Sequence, residues 1–219
     1  SKAVECFEKM LTIDPDNAEG HNNLGITLYD LGQPNAACKS YMNALAIEPD
    51  YAEAHSNLGI TLNELGRFEA AEASYNRALA IAPHFAEAYS NQGDLLTDLK
   101  RLDEALVSYE SAFNLKPDII FLLGKLLHTK MHLCLWDDLS KMLAELQDKI
   151  HSNEKVMPPF PMLGLIDDPE LQRKAAEIFV NENFQKNHDL PKIGLYPKHK
   201  KIRIGYFSAD FKEHPVAAL

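Results

Sequence analysis

The sequence predicts a mainly α fold: a superhelical stack of helical hairpins (an α-solenoid), then a helical connector, then the first strand of a truncated α/β domain. Three observations predict it. Prolines recur at Pro15, Pro49, Pro83 and Pro117, each 34 residues after the last. The text between them recurs as well: HNNLGITLYDLGQ from His21, HSNLGITLNELGR from His55, YSNQGDLLTDLKR from Tyr89. Near the C-terminus IRIGYFSAD breaks the pattern, with Ile202, Ile204 and Tyr206 alternating as a strand does.

Each repeat reads as two helices. In 52–85, His55, Leu58, Gly59 and Leu62 form one helical stripe, and Ala71, Tyr75 and Ala78 form a second. Small Ala against large Tyr lets the two helices interlock. Gly25 and Gly59 sit inside first helices at about 1 kcal/mol each relative to Ala. A neighbour needing close approach explains that choice. Gly66 breaks the chain between the helices and Pro83 stops the second. Asp16 with Glu19, and Asp50 with Glu53, read as caps of the first helices. His84 replaces that cap in the third repeat, which is expected to fray more. The period and residue types resemble the tetratricopeptide repeat, whose pattern is an aromatic, Leu-Gly, then Ala, an aromatic, Ala and Pro.

That resemblance divides the chain. Repeats occupy 1–117: a partial first repeat at 1–17, then 18–51, 52–85 and 86–119. Residues 1–15 fit only a second helix (Ala3, Phe7, Pro15), so the chain is expected to begin mid-repeat. Residues 118–150 keep the length but put Leu127 where Gly belongs, and read as a degenerate pair closing the stack. Trp136 is expected in the core of that pair. From 151 to 200 the composition shifts. Pro158, Pro159 and Pro161 predict an extended connector, and Asp168 and Pro169 open a helix over 168–185. Residues 201–219 begin the last domain, since a lone strand makes no stable sheet.

Composition excludes several functions. Of 219 residues, 46% are hydrophobic and 25% charged, as in a globular chain. No run of 18 apolar residues is present, so no membrane partner is expected. The net charge is −10, which argues against nucleic acid as a partner. The acidic surplus lies in residues 1–119; the rest is nearly balanced. Cys6, Cys38 and Cys134 are too few and too scattered for a disulfide framework and suit a reducing, cytoplasmic location.

One polar position also keeps the 34-residue period: Asn23, Asn57 and Asn91. In a tetratricopeptide stack these point the same way from successive first helices, into the concave side. An amide both donates and accepts, so it can hold a peptide backbone whatever the side chains are. Proteins or peptides in that groove are the partners expected. Three rungs with two bonds each give roughly 3–6 kcal/mol, against an association cost of at least about 4 kcal/mol. Binding by this chain alone is expected at millimolar concentrations or not at all. Lys125 holds the next equivalent position and ends the row.

KIRIGYFSADFKEHP, Lys201 to Pro215, resembles the opening of the catalytic domain of protein O-linked N-acetylglucosamine transferases, including their bacterial SPINDLY-like members. That family joins tetratricopeptide repeats to a two-lobed glycosyltransferase through a helical connector, and the order here is the same. The resemblance implies transfer of a sugar from a nucleotide sugar, UDP-N-acetylglucosamine foremost, to Ser or Thr of acceptor proteins. It places an asparagine ladder on Asn23, Asn57 and Asn91, and the family's active-site His-Pro on His214 and Pro215. Imidazole suits a base or a substrate-orienting group near neutral pH. Some relatives transfer fucose, so the donor stays open. No Gly-rich phosphate loop lies in this chain, and the chain alone is expected to be inactive and to hold no cofactor. The alternative is a non-catalytic tetratricopeptide scaffold.

Other signals read as structural. His128 and His132 have the i, i+4 spacing of metal ligands, but no third ligand shares their face, and no metal site is expected. Asp167 and Asp168 before Pro169 read as a helix cap. Cys38 reads as a small packing residue. KHKK, Lys198 to Lys201, reads as a solvated linker.

Overall fold

The computed structural model describes residues 1–183, which are helices joined by turns and short irregular stretches. The helices are α1 (Lys2–Ile13), α2 (Ala18–Asp30), α3 (Pro34–Ile47), α4 (Ala52–Glu64), α5 (Phe68–Ile81), α6 (Ala86–Asp98), α7 (Leu102–Leu115), α8 (Leu122–His132), α9 (Leu139–His151), α10 (Pro159–Met162) and α11 (Pro169–Asn183). The strand expected at 202–206, the KHKK cluster and the 201–219 segment lie outside the described residues.

Three hairpins, α2 with α3, α4 with α5 and α6 with α7, carry the same packing. A tyrosine ring of the second helix lies against a glycine of the first. A Cβ on Gly25, Gly59 or Gly93 would sit 2.5, 2.7 or 2.5 Å from the ring of Tyr41, Tyr75 or Tyr109. The alanines flanking each tyrosine, such as Ala71 and Ala78, are fully buried. Successive hairpins share core: Cys38 of α3 packs with Leu62 of α4, Tyr75 of α5 and Leu95 of α6.

Each first helix ends in the same way. The Gln33 amide donates to the Leu28 carbonyl and the Gly32 amide to that of Tyr29, at 2.9 and 2.8 Å. This paired closure needs a residue with positive φ just past the helix. Gly32 and Gly66 supply it at φ 69° and 71°, and in the third repeat Lys100 does so at 62°.

The helix starts differ from the sequence expectation. Asp16 and Asp50 lie in the turns after the prolines, one residue short of the N-cap. The cap of α2 is Asn17, whose Oδ1 accepts from the Gly20 amide at 2.7 Å. At α4 the N-cap is Tyr51, which makes no side-chain capping bond. The first turns are tied instead by histidine. His21 Nε2 donates to the Pro15 carbonyl at 3.0 Å, and His55 Nε2 to that of Pro49 at 2.9 Å. Asp50 pairs with Arg77 at 2.6 Å.

Beyond α7 the plan changes. α9 touches α8 only lightly, and both feed a core completed by Val156, Met157, Met162, Ile166, Leu171 and Ala175. The stretch after α9 crosses the start of α8. There the Phe121 amide donates to the Lys155 carbonyl at 2.7 Å and the Gly124 amide to that of Val156 at 2.8 Å. Orphan amides of a helix start are thereby satisfied by a crossing backbone. The Pro158–Pro161 stretch is not extended throughout: Pro159–Met162 make the single turn α10. Proline fits a first helical turn, where its missing N–H is not needed. Asp168 caps α11, its Oδ1 accepting from the amides of Glu170 and Leu171 at 2.9 and 3.1 Å. Trp136 is not core. It lies in the turn before α9, 54% exposed, because no helix packs over that turn.

Candidate peptide-binding groove

Asn23, Asn57 and Asn91 stand at equivalent places on α2, α4 and α6, and all three are half-buried. They are not equally free. The Asn57 amide donates to Asn22 Oδ1 at 3.1 Å, across to the neighbouring repeat. Asn22 is itself buried and sends a long 3.5 Å bond to the Tyr51 hydroxyl. One donor of the middle rung is therefore engaged within the protein. The side chains of Asn23 and Asn91 make no hydrogen bond among the described residues.

Asn91 borders a cavity of about 170 Å³. Tyr29 comes to it from α2, Ile60, Asn63 and Glu64 from α4, Tyr75 from α5, and Asp94 from α6. Burial, then the hydrogen bond to Glu64, pushes the Tyr29 phenol up to about 12, so it stays a neutral donor. Asn63 Nδ2 reaches Asp98 Oδ2 at 3.5 Å, while its Oδ1 is buried with no hydrogen-bond partner.

The far end of the row is closed by charge. Asp94 accepts from the Tyr109 hydroxyl at 2.8 Å and pairs with Lys125 Nζ at 2.6 Å. Lys125 thus fills the fourth rung position with an ion pair. Asp94 stands where the earlier repeats carry Ile26 and Ile60. The sequence reading missed Asn22 and Asp94, although their neighbours were singled out. The break in the isoleucine row was the available signal for Asp94.

Beside Lys125, the His128 and His132 rings meet edge to face, with Nε2 atoms 3.1 Å apart. Burial, then the charge of His132, holds the His128 imidazole below its ordinary range. No group of three His, Cys, Asp or Glu able to hold a metal ion occurs among the described residues. His214 lies outside the described residues. No described helix is long and apolar enough to cross a membrane.

The paired helices and the glycine–tyrosine contact define a class. Residues 16–84 and 64–116 each match a tetratricopeptide repeat family model, so this stretch is built of tetratricopeptide repeats, a protein–protein interaction fold. Among individual proteins, the chain is 36% identical over 109 residues to a probable UDP-N-acetylglucosamine–peptide N-acetylglucosaminyltransferase, SEC, of Arabidopsis thaliana. The match takes in 43% of this chain and spans only 11% of that protein's length. Among solved structures, the chain resembles crystalline MamA at TM-score 0.61 and 27% identity, covering 68% of this chain and 87% of that one. The first tetratricopeptide domain of Spaghetti (RPAP3), solved with an HSP90 peptide, shares the fold at TM-score 0.52 and 24% identity. That likeness covers 53% of this chain and 95% of the other.

Proposed function

We propose that these repeats are the acceptor-recognition arm of a protein O-glycosyltransferase, of the kind that moves N-acetylglucosamine from UDP to Ser or Thr. The observation that carries the reading is the 36% identity to the Arabidopsis peptide N-acetylglucosaminyltransferase. Two further features support it: the asparagine row of α2, α4 and α6, and the resemblance of Lys201–Pro215 to the opening of that family's catalytic domain. In this reading an extended acceptor segment lies along Asn23, Asn57 and Asn91, held through its backbone. His214 belongs to the active site, where it takes the proton of the acceptor hydroxyl or orients the substrate. Removing that proton makes the oxygen a better nucleophile toward the sugar carbon. In this reading the nucleotide sugar is bound by the catalytic domain of such a transferase, whose opening Lys201–Pro215 resembles. The location is cytoplasmic.

The test is to incubate the full-length gene product with UDP-N-acetylglucosamine and a Ser/Thr peptide library and to read peptide mass. A hexosamine-sized gain that is lost in His214→Ala is the expected result. A gain only with GDP-fucose keeps the transferase and changes the donor. No gain with either leaves the second reading, a scaffold of tetratricopeptide repeats without catalysis. That reading is supported by the tetratricopeptide repeats themselves, a protein–protein interaction fold.

A further inference from the structure

α8 carries two histidines, one helical turn apart, that neither the repeat packing nor the asparagine row uses. His128 and His132 stand 34 residues after Asp94 and Asp98, and they share a helical stripe with Lys125. His128 is half-buried and His132 exposed. The helix beneath them is fixed in the core by Leu122, Leu123, Leu126 and Leu127. Positions i and i+4 of a helix so anchored hold their side chains as fixed neighbours. The rings meet edge to face, with centroids 4.4 Å apart, and bring Nε2 to 3.1 Å from Nε2.

A closed metal site needs more protein ligands than two. Two imidazoles nevertheless chelate on their own when their separation matches the bite of a metal ion. With metal–imidazole bonds of about 2.0–2.1 Å, nitrogens 3.1 Å apart subtend an angle of about 95–102° at the metal. That lies between the right angle of octahedral or square-planar coordination and the tetrahedral angle. The nearby cations are neutralised: Lys125 pairs with Asp94 and Lys130 with Glu110, which lessens repulsion of a dication. Burial, then the charge of His132, holds the His128 imidazole below its ordinary range and so keeps it in the neutral form that binds metal.

We infer that His128 and His132 chelate a late first-row divalent metal ion through their Nε2 atoms, with water completing its coordination. In the metal-free pair one Nε2–H donates to the other Nε2. On binding, the donating ring carries its proton on Nδ1 instead, so both Nε2 lone pairs reach the metal and no proton is lost. Imidazole selects Cu2+, Ni2+ and Zn2+ over Mg2+ and Ca2+, which take oxygen ligands. Two protein ligands leave the site open, in contrast to the closed four-ligand sites that hold small domains together.

The experiment titrates the tag-free, isotopically labelled 219-residue chain with Cu2+, Ni2+ and Zn2+. Calorimetry reads the binding, and NMR in the Zn2+ titration reads the imidazole nitrogens. The expected result is one equivalent bound, with the signals of His128 and His132 moving together and ahead of those of His21, His55, His84 and His151. His128→Ala and His132→Ala should each weaken binding at least tenfold, while Cys134→Ser and His151→Ala leave it unchanged. His132 is exposed, so His132→Ala keeps the test decisive if His128→Ala fails to fold. No binding by the folded chain, or undiminished binding by His132→Ala, overturns the inference. Loss of binding in Cys134→Ser shows that a thiolate is needed, and overturns the two-nitrogen site as stated.

Discussion

Residues 18–119 and 120–183 are both built of helices, yet they bury their cores against different partners. In the first region a mid-helix glycine faces a tyrosine of the same hairpin. In the second, Leu127 fills the glycine position and Leu143 the tyrosine position, and the small residue has moved three places, to Gly124. A Cβ there would lie 2.7 Å from the Val156 carbonyl oxygen and 2.8 Å from the Met157 Cα. The gap in the helix surface now admits a crossing backbone in place of an aromatic ring. Where the glycine sits decides which element packs on the helix: its own second helix in the repeats, the connector at the end.

Gly59→Val tests the first half of that comparison and has the largest expected effect. Branched carbons would be driven into the buried Tyr75 ring, and overpacking of this kind costs about 3 kcal/mol. Denaturant unfolding should show it as a lower midpoint. The sharper form is a double-mutant cycle of Gly59→Ala with Tyr75→Leu, which brings in the leucine of the terminal pair. The double variant should be more stable than the sum of the singles, since the two residues are in contact. Strict additivity breaks the claim that glycine and tyrosine form one unit.

Gly124→Ala tests the second half. The obstacle is backbone that cannot rotate away, and the Gly124–Val156 hydrogen bond is lost with it. About 2 kcal/mol is expected after the roughly 1 kcal/mol that Ala returns in helix propensity. The loss should be local. Amide exchange should quicken in α10, α11 and the 155–157 stretch and leave α2 to α6 unchanged. Uniform quickening would mean that the two regions are one cooperative block.

Much of this comparison is legible in the amino-acid text. The period, the helix pairs and the close approach at Gly25 and Gly59 follow from spacing and residue size alone. The terminal region is less legible for a physical reason. Its core joins Leu123 to residues as distant as Ala175, and such contacts leave no local period. Trp136 shows the cost of assuming otherwise: an aromatic beside a helix reads as core until a partner is found missing. The caps were misplaced by one residue because Asp16 and Asp50 look like acceptors wherever they stand. His55, read as part of a helical stripe, ties a helix start instead, as His21 does one repeat earlier. Of the candidate groove, the asparagine row was legible because it repeats. The Asn57–Asn22 bond was not, because it joins positions 35 apart, one off the period.

The helix ends offer a smaller contrast within the regular repeats. Lys100 holds the positive φ that Gly32 and Gly66 hold elsewhere, and an L side chain there costs about 1 kcal/mol. Lys100→Gly should stabilise the chain by that amount, and Gly66→Lys should destabilise it similarly. Thermal melts of the two variants should move in opposite directions. A shift of the same sign in both would show that side-chain contacts, not backbone conformation, govern these turns.

The smallest effect concerns charge, and it again sets the two regions apart. Lys116, just past α7, pairs with Glu87 on α6 at 2.7 Å, while Lys149 in the terminal region pairs with Glu154 at 2.9 Å. The hydrogen bond from Lys116 holds the Glu87 carboxyl below its ordinary range. A carboxylate so depressed stabilises the fold fully above its unfolded pKa, about 4.3, and loses that contribution as pH falls through the lower folded value. The side chains are about half exposed, so the contribution is small, as for surface pairs in general. Lys116→Met should remove it at pH 7 and leave stability at pH 3 nearly unchanged, with the difference halved by 0.5 M salt. Lys149→Met should leave Glu87 untouched, so its carboxyl carbon in NMR titrations should move only in the Lys116 variant. If both variants move it equally, the pairs are coupled through the whole stack and electrostatics does not respect the boundary that packing draws.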